Sequence, residues 1–344
     1  MTARDNRISG PLLHWYDAHA RDLPWRAQPG SSLPDPYHVW LSEVMLQQTT
    51  VAAVKPYFDK FVRRWPDIEA LARAEEAEVM AAWAGLGYYS RARNLLKCAK
   101  EVAKRSGFPQ TEAGLRELPG IGPYTAAAIA AIAFGKRAVV IDANVERVVA
   151  RLSAIRDPLP GARKKIGKYA EKITPHDRAG DFAQAMMDLG ATICTARQPR
   201  CQLCPLSEHC AGYRGGDAAS LPVKAQKKSR PERRGKAFWI ENDGSVWLVT
   251  RPSRGMLGGM RALPDDGWSA QADGSGDTAL AGEWSHLGSV RHVFTHATLT
   301  LDIMRYGGSA TPVEEGEWWS LEELDKAGLP SLFAKAARLA LADR

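Results

Sequence analysis

Long apolar runs and an apolar leader are missing from this sequence, and cysteine is scarce. The longest apolar run, Ala126–Phe134, has nine residues, whereas a membrane-spanning helix needs roughly 20. The polar start MTARDNRISG has no signal-peptide core, and the five cysteines are an odd number. These absences argue against a membrane protein and against a secreted disulfide scaffold, so we expect a reducing, cytosolic setting.

The net charge of +7 is spread unevenly along the chain. Seven Lys and Arg residues against one Glu lie between Lys224 and Lys236, so the remainder is nearly neutral. A solvated tether and a DNA-contacting segment are both consistent with this composition, and the two interpretations are compatible, because Lys and Arg near phosphate add sequence-independent affinity. We predict that residues 213–236 form a basic interdomain linker.

The 344 residues suffice for two domains. Residues 1–212 show apolar residues at three- and four-residue intervals with Pro- and Gly-marked breaks, which predicts an all-α domain. Residues 237–344 predict an α+β domain. Its predicted strands are Ala237–Ile240, Ser245–Thr250 and Ala297–Met304, and its predicted last helix is Leu332–Leu341.

Four cysteines fall in one short run at intervals of six, two and five residues: Cys194, Cys201, Cys204 and Cys210. Soft thiolates select zinc or iron–sulfur clusters. A zinc ribbon normally has two separate C-x2-C pairs, whereas a single compact run of four favours a [4Fe–4S] cluster. Zinc remains the alternative, and two disulfides would require an oxidising compartment.

The segment Leu118–Ala126 places Gly120 and Gly122 just before an alanine-rich helical stretch. Glycines let the backbone turn tightly, so that amide groups at the following helix start can hold a phosphate. Such a pair alone would indicate an ordinary interhelix turn. With Leu-Pro before it and the cysteine run downstream, it predicts a DNA-binding helix-hairpin-helix element.

Two acidic residues, Asp142 and Glu43, are candidates for a catalytic role. Asp142 ends an apolar run and opens a predicted helix, where it could be only an N-cap. Glu43, in WLSEVMLQQT, lies within another predicted helix and could be only a surface residue.

These segments together resemble the adenine glycosylases of the endonuclease III (helix-hairpin-helix) superfamily, over nearly the whole chain. The resemblance implies a multidomain fold, with an all-α glycosylase domain carrying a [4Fe–4S] loop and a C-terminal α+β Nudix-like domain that inspects the opposite base. It implies removal of adenine mispaired with 8-oxoguanine or guanine. The expected partner is double-stranded DNA containing such mispairs, bound by a monomer in the bacterial nucleoid rather than at a membrane.

The resemblance gives the two acids different roles. Glu43 would be the general acid, held protonated by a dry pocket so that it can protonate adenine. Asp142 would stay ionised and stabilise the oxocarbenium-like sugar. Asn144 and Tyr124 would orient the sugar, the phosphate and the catalytic water.

Tyr124 also bears on the type of reaction. Bifunctional relatives carry a lysine at this position, where it forms a Schiff base and cuts the strand, and tyrosine cannot do so. We therefore expect base removal only. The alternatives are a bifunctional endonuclease III-like glycosylase and lyase for oxidised pyrimidines, and a non-catalytic iron–sulfur DNA-binding protein, which the pair Glu43 and Asp142 disfavours.

Further positions match the family residue by residue. Arg26, Gln184 and Met187 would line the pocket for the flipped adenine, and Gln48 and Tyr88 would wedge into the duplex around the lesion.

In the C-terminal half, Phe294-Thr295-His296 stands where the family usually has Phe-Ser-His, so Thr295 and His296 would contact 8-oxoguanine. This half lacks the clustered glutamates and arginine of a Nudix hydrolase box, which argues against a nucleotide pyrophosphatase.

Overall fold

The computed structural model of the chain describes residues 6–225, 230–252, 255–294, 296–308, 312 and 315–342. The chain divides into two compact units, Met1–Ala225 and Gln226–Arg344. Within the described ranges, no helix is long and apolar enough to cross a membrane.

The first unit is helical, as the sequence predicts. Its helices are α1 (Asn6–His19), α2 (Pro36–Met45), α3 (Val51–Arg64), α4 (Ile68–Ala72), α5 (Glu76–Trp83), α6 (Ser90–Lys104), α7 (Glu112–Arg116), α8 (Pro123–Ile132), α9 (Ala143–Leu152), α10 (Arg163–Ile173), α11 (Ala179–Thr192) and α12 (Ala211–Arg214).

Helix α8 lies at the centre of this unit. Every residue from Thr125 to Ile132 is buried, as is typical of a helix that is apolar on all sides. Helices α2, α7 and α11 pack around it. Small alanine side chains allow these neighbours to approach closely: a Cβ on Gly180 of α11 would lie 2.5 Å from the Ala131 carbonyl oxygen.

Short polar side chains fix where several helices begin. Thr50, Asp67 and Thr111 are the N-caps of α3, α4 and α7, and each accepts a hydrogen bond from the backbone N–H three residues later. Helix α8 begins differently, with Gly122 at the N-cap, Pro123 at the first position and no side-chain cap. Its first-turn amides are therefore left without a capping side chain.

In its described residues, the second unit forms two sheets and one α-helix. Its elements are β1 (Glu232–Trp239), β2 (Glu241–Asn242), β3 (Ser245–Thr250), β4 (Arg261–Ala262), β5 (Trp284–Val293), β6 (Thr298–Tyr306), β7 (Gly316–Ser320) and α13 (Ser331–Ala342). One sheet has the order β1-β6-β5, with β1 parallel and β5 antiparallel to β6. In the other, β2, β4 and β7 all pair antiparallel with β3.

Helix α13 packs on the first sheet, and the core of this unit includes the buried rings of Trp239, Trp268 and Phe333. The segment between β4 and β5 has no strand or α-helix, yet the Gly274 N–H donates to the Arg234 carbonyl at 2.8 Å. This polar segment is therefore attached to the sheet through strand β1.

Regular structure extends into the stretch predicted as a linker. Helix α12 continues to Arg214, and β1 begins at Glu232 rather than at residue 237. Three of the basic residues, Arg233, Arg234 and Lys236, thus belong to a strand that pairs with β6. Composition suggested a tether because four of the first five residues of this strand are charged, whereas its strand structure comes from pairing with β6.

Candidate active site and cysteine loop

One cleft of about 620 Å³ in the helical unit collects eight of the predicted site residues. Helices α2, α8, α9 and α11 and the segments beside them contribute to its walls. The eight are Arg26, Glu43, Gln48, Tyr124, Asp142, Asn144, Gln184 and Met187. Side chains from five separate parts of the sequence therefore face a single space.

Glu43 points into this cleft from α2 and is only 7% exposed. Burial raises its pKa to about 7, and the negative charge of Asp142 acts in the same direction. The Tyr124 hydroxyl and the Arg26 guanidinium offset part of that rise. The carboxyl group can therefore carry a proton near neutral pH. Burial also raises the pKa of Tyr124, which keeps its hydroxyl protonated.

Asp142 is the N-cap of α9, and both of its carboxylate oxygens are used. Oδ1 accepts from the Val145 N–H at 2.7 Å, and Oδ2 accepts from Asn144 Nδ2 at 2.8 Å. Asn144 in turn accepts from Arg147 Nη2 at 2.9 Å. The N-cap role foreseen from the sequence is present, and it fixes the carboxylate at the edge of the cleft.

Arg26 is held by a bidentate ion pair with Asp188, a residue that no sequence motif marked as part of the site. Arg26 Nη1 and Nη2 donate to the two carboxylate oxygens of Asp188 at 2.7 and 2.9 Å. The backbone N–H and Nε of Arg21 donate to the same carboxylate at 3.1 and 2.7 Å. Asp188 is 0% exposed. The sequence feature that could have identified Asp188 is its position one helical turn after Gln184, which puts both residues on the same face of α11.

The glycine motif forms the turn between α7 and α8. Gly120 has φ 76°, and a Cβ there would lie 2.8 Å from Asn94 Cβ, so the turn requires glycine. Gly122 is extended, and Pro123 has no N–H to donate. The amides of Tyr124 and Thr125 in the first turn of α8 lack intrahelical acceptors, which is the arrangement that holds a phosphate at a helix N-terminus.

Gln48 and Tyr88 lie on two turns, and Gln48 also lines the cleft. Both are exposed, and both have left-handed backbones, with φ 58° and 49°. Tyr88 is 62% exposed, which is unusual for a large ring, and it does not line the cleft itself.

The four cysteines Cys194, Cys201, Cys204 and Cys210 face one small cavity, together with Arg151. None of them is in a disulfide. Burial raises the pKa of Cys201, Cys204 and Cys210, that of Cys204 to about 11. Bound iron would supply the positive charge that allows the thiolates to form.

Arg151 is 1% exposed and donates to Cys194 Sγ at 3.3 Å and to its carbonyl at 3.2 Å. This buried cation beside a cysteine sulfur fits an anionic cluster. In the described part of the chain, no three His, Cys, Asp or Glu side chains form a ready-made site for a metal ion.

In the second unit, His296 is exposed, whereas Thr295 lies outside the described residues. Phe294, at the start of the same loop, packs against Trp268 and His292, with ring centroids 6.0 and 4.5 Å apart. An aromatic cluster therefore supports the residue that precedes Thr295.

Three family models match separate parts of the chain. Residues 41–175 match the HhH-GPD superfamily of base excision DNA repair proteins, residues 194–210 match the iron–sulfur binding domain of endonuclease III, and residues 236–339 match the NUDIX domain. The cofactor expected from the cysteine spacing is thereby confirmed as an endonuclease III-type [4Fe–4S] cluster.

Similar proteins cover most of the chain. It is 34% identical to the human adenine DNA glycosylase over 401 residues, covering 96% of this chain and 73% of that protein. It is 39% identical to the adenine DNA glycosylase of Mycolicibacterium smegmatis, covering 79% of this chain and 95% of that protein. A solved thermostable thymine-DNA glycosylase, 30% identical, superposes with a TM-score of 0.54 and covers 62% of this chain and 99% of its own.

Proposed function

This chain belongs to the adenine DNA glycosylase family of base excision repair enzymes, and on that premise we propose that it hydrolyses the N-glycosidic bond of adenine mispaired with 8-oxoguanine or guanine. Its substrate is DNA. The observation that carries the proposal is the pair of acids in one cleft, a buried Glu43 with a raised pKa and an oriented Asp142.

The two acids would divide the work. Adenine leaves as an anion unless a ring nitrogen is protonated, so Glu43 in its protonated form donates to the base. As the bond to the sugar breaks, positive charge develops on the sugar, and the Asp142 carboxylate stabilises it, either through space or by bonding to the sugar carbon before water attacks. Asn144 and Tyr124 would hold the sugar, the phosphate and the water around this pair.

Other cleft residues would recognise the base. Arg26, fixed by Asp188, faces Glu43 and provides donors for a flipped purine, while Gln184 and Met187 contribute a polar edge and an apolar surface. The hairpin with Gly120 and Gly122 would hold the strand by a phosphate.

We propose that the enzyme removes the base without cutting the strand. A lyase needs an amine that forms a Schiff base with the sugar, and position 124 carries tyrosine. The raised pKa of Tyr124 keeps it a hydrogen-bonding hydroxyl rather than a nucleophile.

We also propose that the Nudix-like domain reads the opposite base through Thr295 and His296, and that the remainder of the 213–236 segment, between α12 and β1, joins the domains. The cysteines 194, 201, 204 and 210 would hold the cluster, which when bound would fix their loop beside α9. We expect a monomer working in the reducing interior of the cell.

Single-turnover adenine release from A:8-oxoguanine, A:G and A:T duplexes tests the assignment. Glu43→Gln and Asp142→Asn should each slow release by about a hundredfold or more while mispair binding persists, whereas Glu69→Gln, an exposed control on α4, should not. Near-normal release by either cleft variant would refute its role. Borohydride trapping with strand nicking would favour the bifunctional alternative.

His296→Ala tests the reading of the opposite base. It should weaken the preference for A:8-oxoguanine over A:G by roughly 1–3 kcal/mol, the value of one polar base contact. His286→Ala, on the exposed part of β5, is the matched control. Equal losses on both mispairs in a folded protein would mean that His296 does not contact the lesion.

A further inference from the structure

Arg91, at the second position of α6, joins two separate turns of the helical unit. Its Nη1 donates to the carbonyls of Val44, Met45 and Gln47 at 3.1, 3.1 and 2.6 Å. These carbonyls form the C-terminal end of α2 and the residues that follow it. A guanidinium at this place satisfies orphan carbonyls and complements the negative end of the helix dipole.

The other arm of the same guanidinium holds the second turn. Nη2 donates to the carbonyls of Leu86 and Gly87 at 3.1 and 3.3 Å. The Arg91 backbone N–H donates to the Tyr88 carbonyl at 2.8 Å. The guanidinium carbon also lies 5.5 Å from the centre of the Tyr88 ring, within the range of a cation–π contact.

Each turn presents a large exposed side chain, Gln48 after α2 and Tyr88 before α6. Both residues adopt positive φ, which non-glycine residues rarely do. Such conformations persist only where surrounding contacts impose them. Among the carbonyls that the Arg91 guanidinium binds are those of Gln47 and Gly87, the residues immediately before Gln48 and Tyr88.

Only arginine has the geometry for this connection. Its planar fork carries five N–H donors on two arms, whereas a lysine ammonium is a single point with three donors. The Arg91 guanidinium donates to backbone oxygens, and its charge faces the rings of Trp83 and Tyr88. A residue serving only surface charge would not be arranged in this way.

We propose that Arg91 is the positioning residue for the two DNA wedges: it locks the Gln48 turn to the Tyr88 turn so that both side chains enter the duplex together. The inference rests on the proposed function, in which Gln48 and Tyr88 wedge around the lesion. Arg91 does not touch the base in this scheme. It acts through the two turns on the step that unstacks adenine.

Unstacking can be followed apart from chemistry. A duplex carrying 2′-fluoro-deoxyadenosine opposite 8-oxoguanine retains its adenine, and 2-aminopurine beside it becomes brighter when stacking is lost. In stopped-flow mixing, Arg91→Lys and Arg91→Met should slow the fluorescence rise by about tenfold, as expected for lost charge-assisted hydrogen bonds. Lys97→Met, which removes an exposed cation from the same helix, should leave the rate unchanged.

A double-mutant comparison with Gln48 and Tyr88 distinguishes this positioning role from a merely structural role of Arg91. In a Gln48→Ala/Tyr88→Ala background, adding Arg91→Lys should cause no further slowing, because the step it supports is already lost. Additive slowing in this background would overturn the proposal. So would folded Arg91 variants that unstack adenine at the wild-type rate. Failure of both variants to fold, judged by thermal melts and iron content, would overturn it as well. If wild type released no adenine from A:8-oxoguanine, the proposed function itself would fail instead.

Discussion

Gly190 of α11 lies directly against Asn144 of α9: a Cβ built on the glycine would be 2.6 Å from Asn144 Cβ and 3.2 Å from its Cα. The glycine therefore sets how closely the two helices approach. Because Asn144 donates to Asp142, this approach also sets where the carboxylate faces the cleft.

Gly190→Ala should therefore impair catalysis without adding or removing a polar group. The methyl group must push α9 outward by a few tenths of an ångström or more, and small displacements of catalytic groups are costly. We expect single-turnover adenine release to fall by about tenfold to a hundredfold. Gly167→Ala, in α10 where a Cβ meets nothing within 4 Å, is the control, and it should stabilise the fold slightly.

Asp188→Asn should destabilise the helical unit strongly. It leaves Arg26, whose side chain is 8% exposed, as a buried cation without its carboxylate. Removing one partner of a buried pair costs about 3–5 kcal/mol, so urea unfolding should show a loss of that order. Asp17→Asn breaks the exposed pair of Asp17 with Arg178 and should cost at most about 1 kcal/mol. If both variants lost a similar free energy of unfolding, the interpretation of Asp188 and Arg26 as a stabilising buried ion pair would be contradicted.

Much of the site was predictable because its residues stand in short local motifs. The Gly120 turn, the Asp142 N-cap and the cysteine run each depend on backbone geometry or ligand spacing within a few residues. The strand Ser245–Thr250 was likewise predicted with its observed bounds, since its β-branched and apolar residues are bounded by turn residues.

The parts that could not be predicted depend on long-range packing. Asp188 is important because Arg21 and Arg26 come to it from more than 160 positions away in the sequence. Arg91 joins turns contributed by two other segments, and no local pattern marks it. Strand β1 begins within a charged stretch because pairing with β6, and not its own composition, makes it a strand.

Removing a cluster ligand should affect the fold of the loop as well as the metal. We expect purified protein to contain four irons and four inorganic sulfides, consistent with one [4Fe–4S] cluster, by iron and sulfide analysis. Cys201→Ser should lower cluster content, soluble yield and DNA affinity, because metal binding is coupled to folding of its loop. Cys98→Ser, at the buried cysteine outside the loop, should keep full iron content. One equivalent of zinc without sulfide in anaerobically prepared protein would contradict the cluster.

Glu43→Gln should stabilise the protein at alkaline pH while removing activity. The pKa of Glu43 is about 7 in the fold against 4.5 as its ordinary value, so the folded state holds a proton that the unfolded state has lost across this window. The free energy of unfolding then falls as pH rises from about 4.5 to 7, by about 3 kcal/mol in total.

Glutamine mimics the neutral acid and removes this penalty. The melting temperature of Glu43→Gln should therefore exceed that of wild type at pH 8, and the two should converge near pH 4.5. Glu69→Gln, on the exposed surface of α4, should show no such divergence. If the melting temperatures of Glu43→Gln and wild type differed by the same amount at pH 4.5 and pH 8, Glu43 would be ionised in the folded protein at neutral pH.

The rate of base removal should depend on the same proton. If protonated Glu43 donates to adenine, single-turnover release is proportional to the protonated fraction of this residue. With its pKa at about 7, the rate should fall above pH 7 by about tenfold for each further pH unit. Duplex binding by Glu43→Gln over the same range shows whether DNA affinity contributes to the decline. A rate that stays constant or rises up to pH 9, with binding unchanged, would remove Glu43 as the general acid and leave Asp142 to be tested alone.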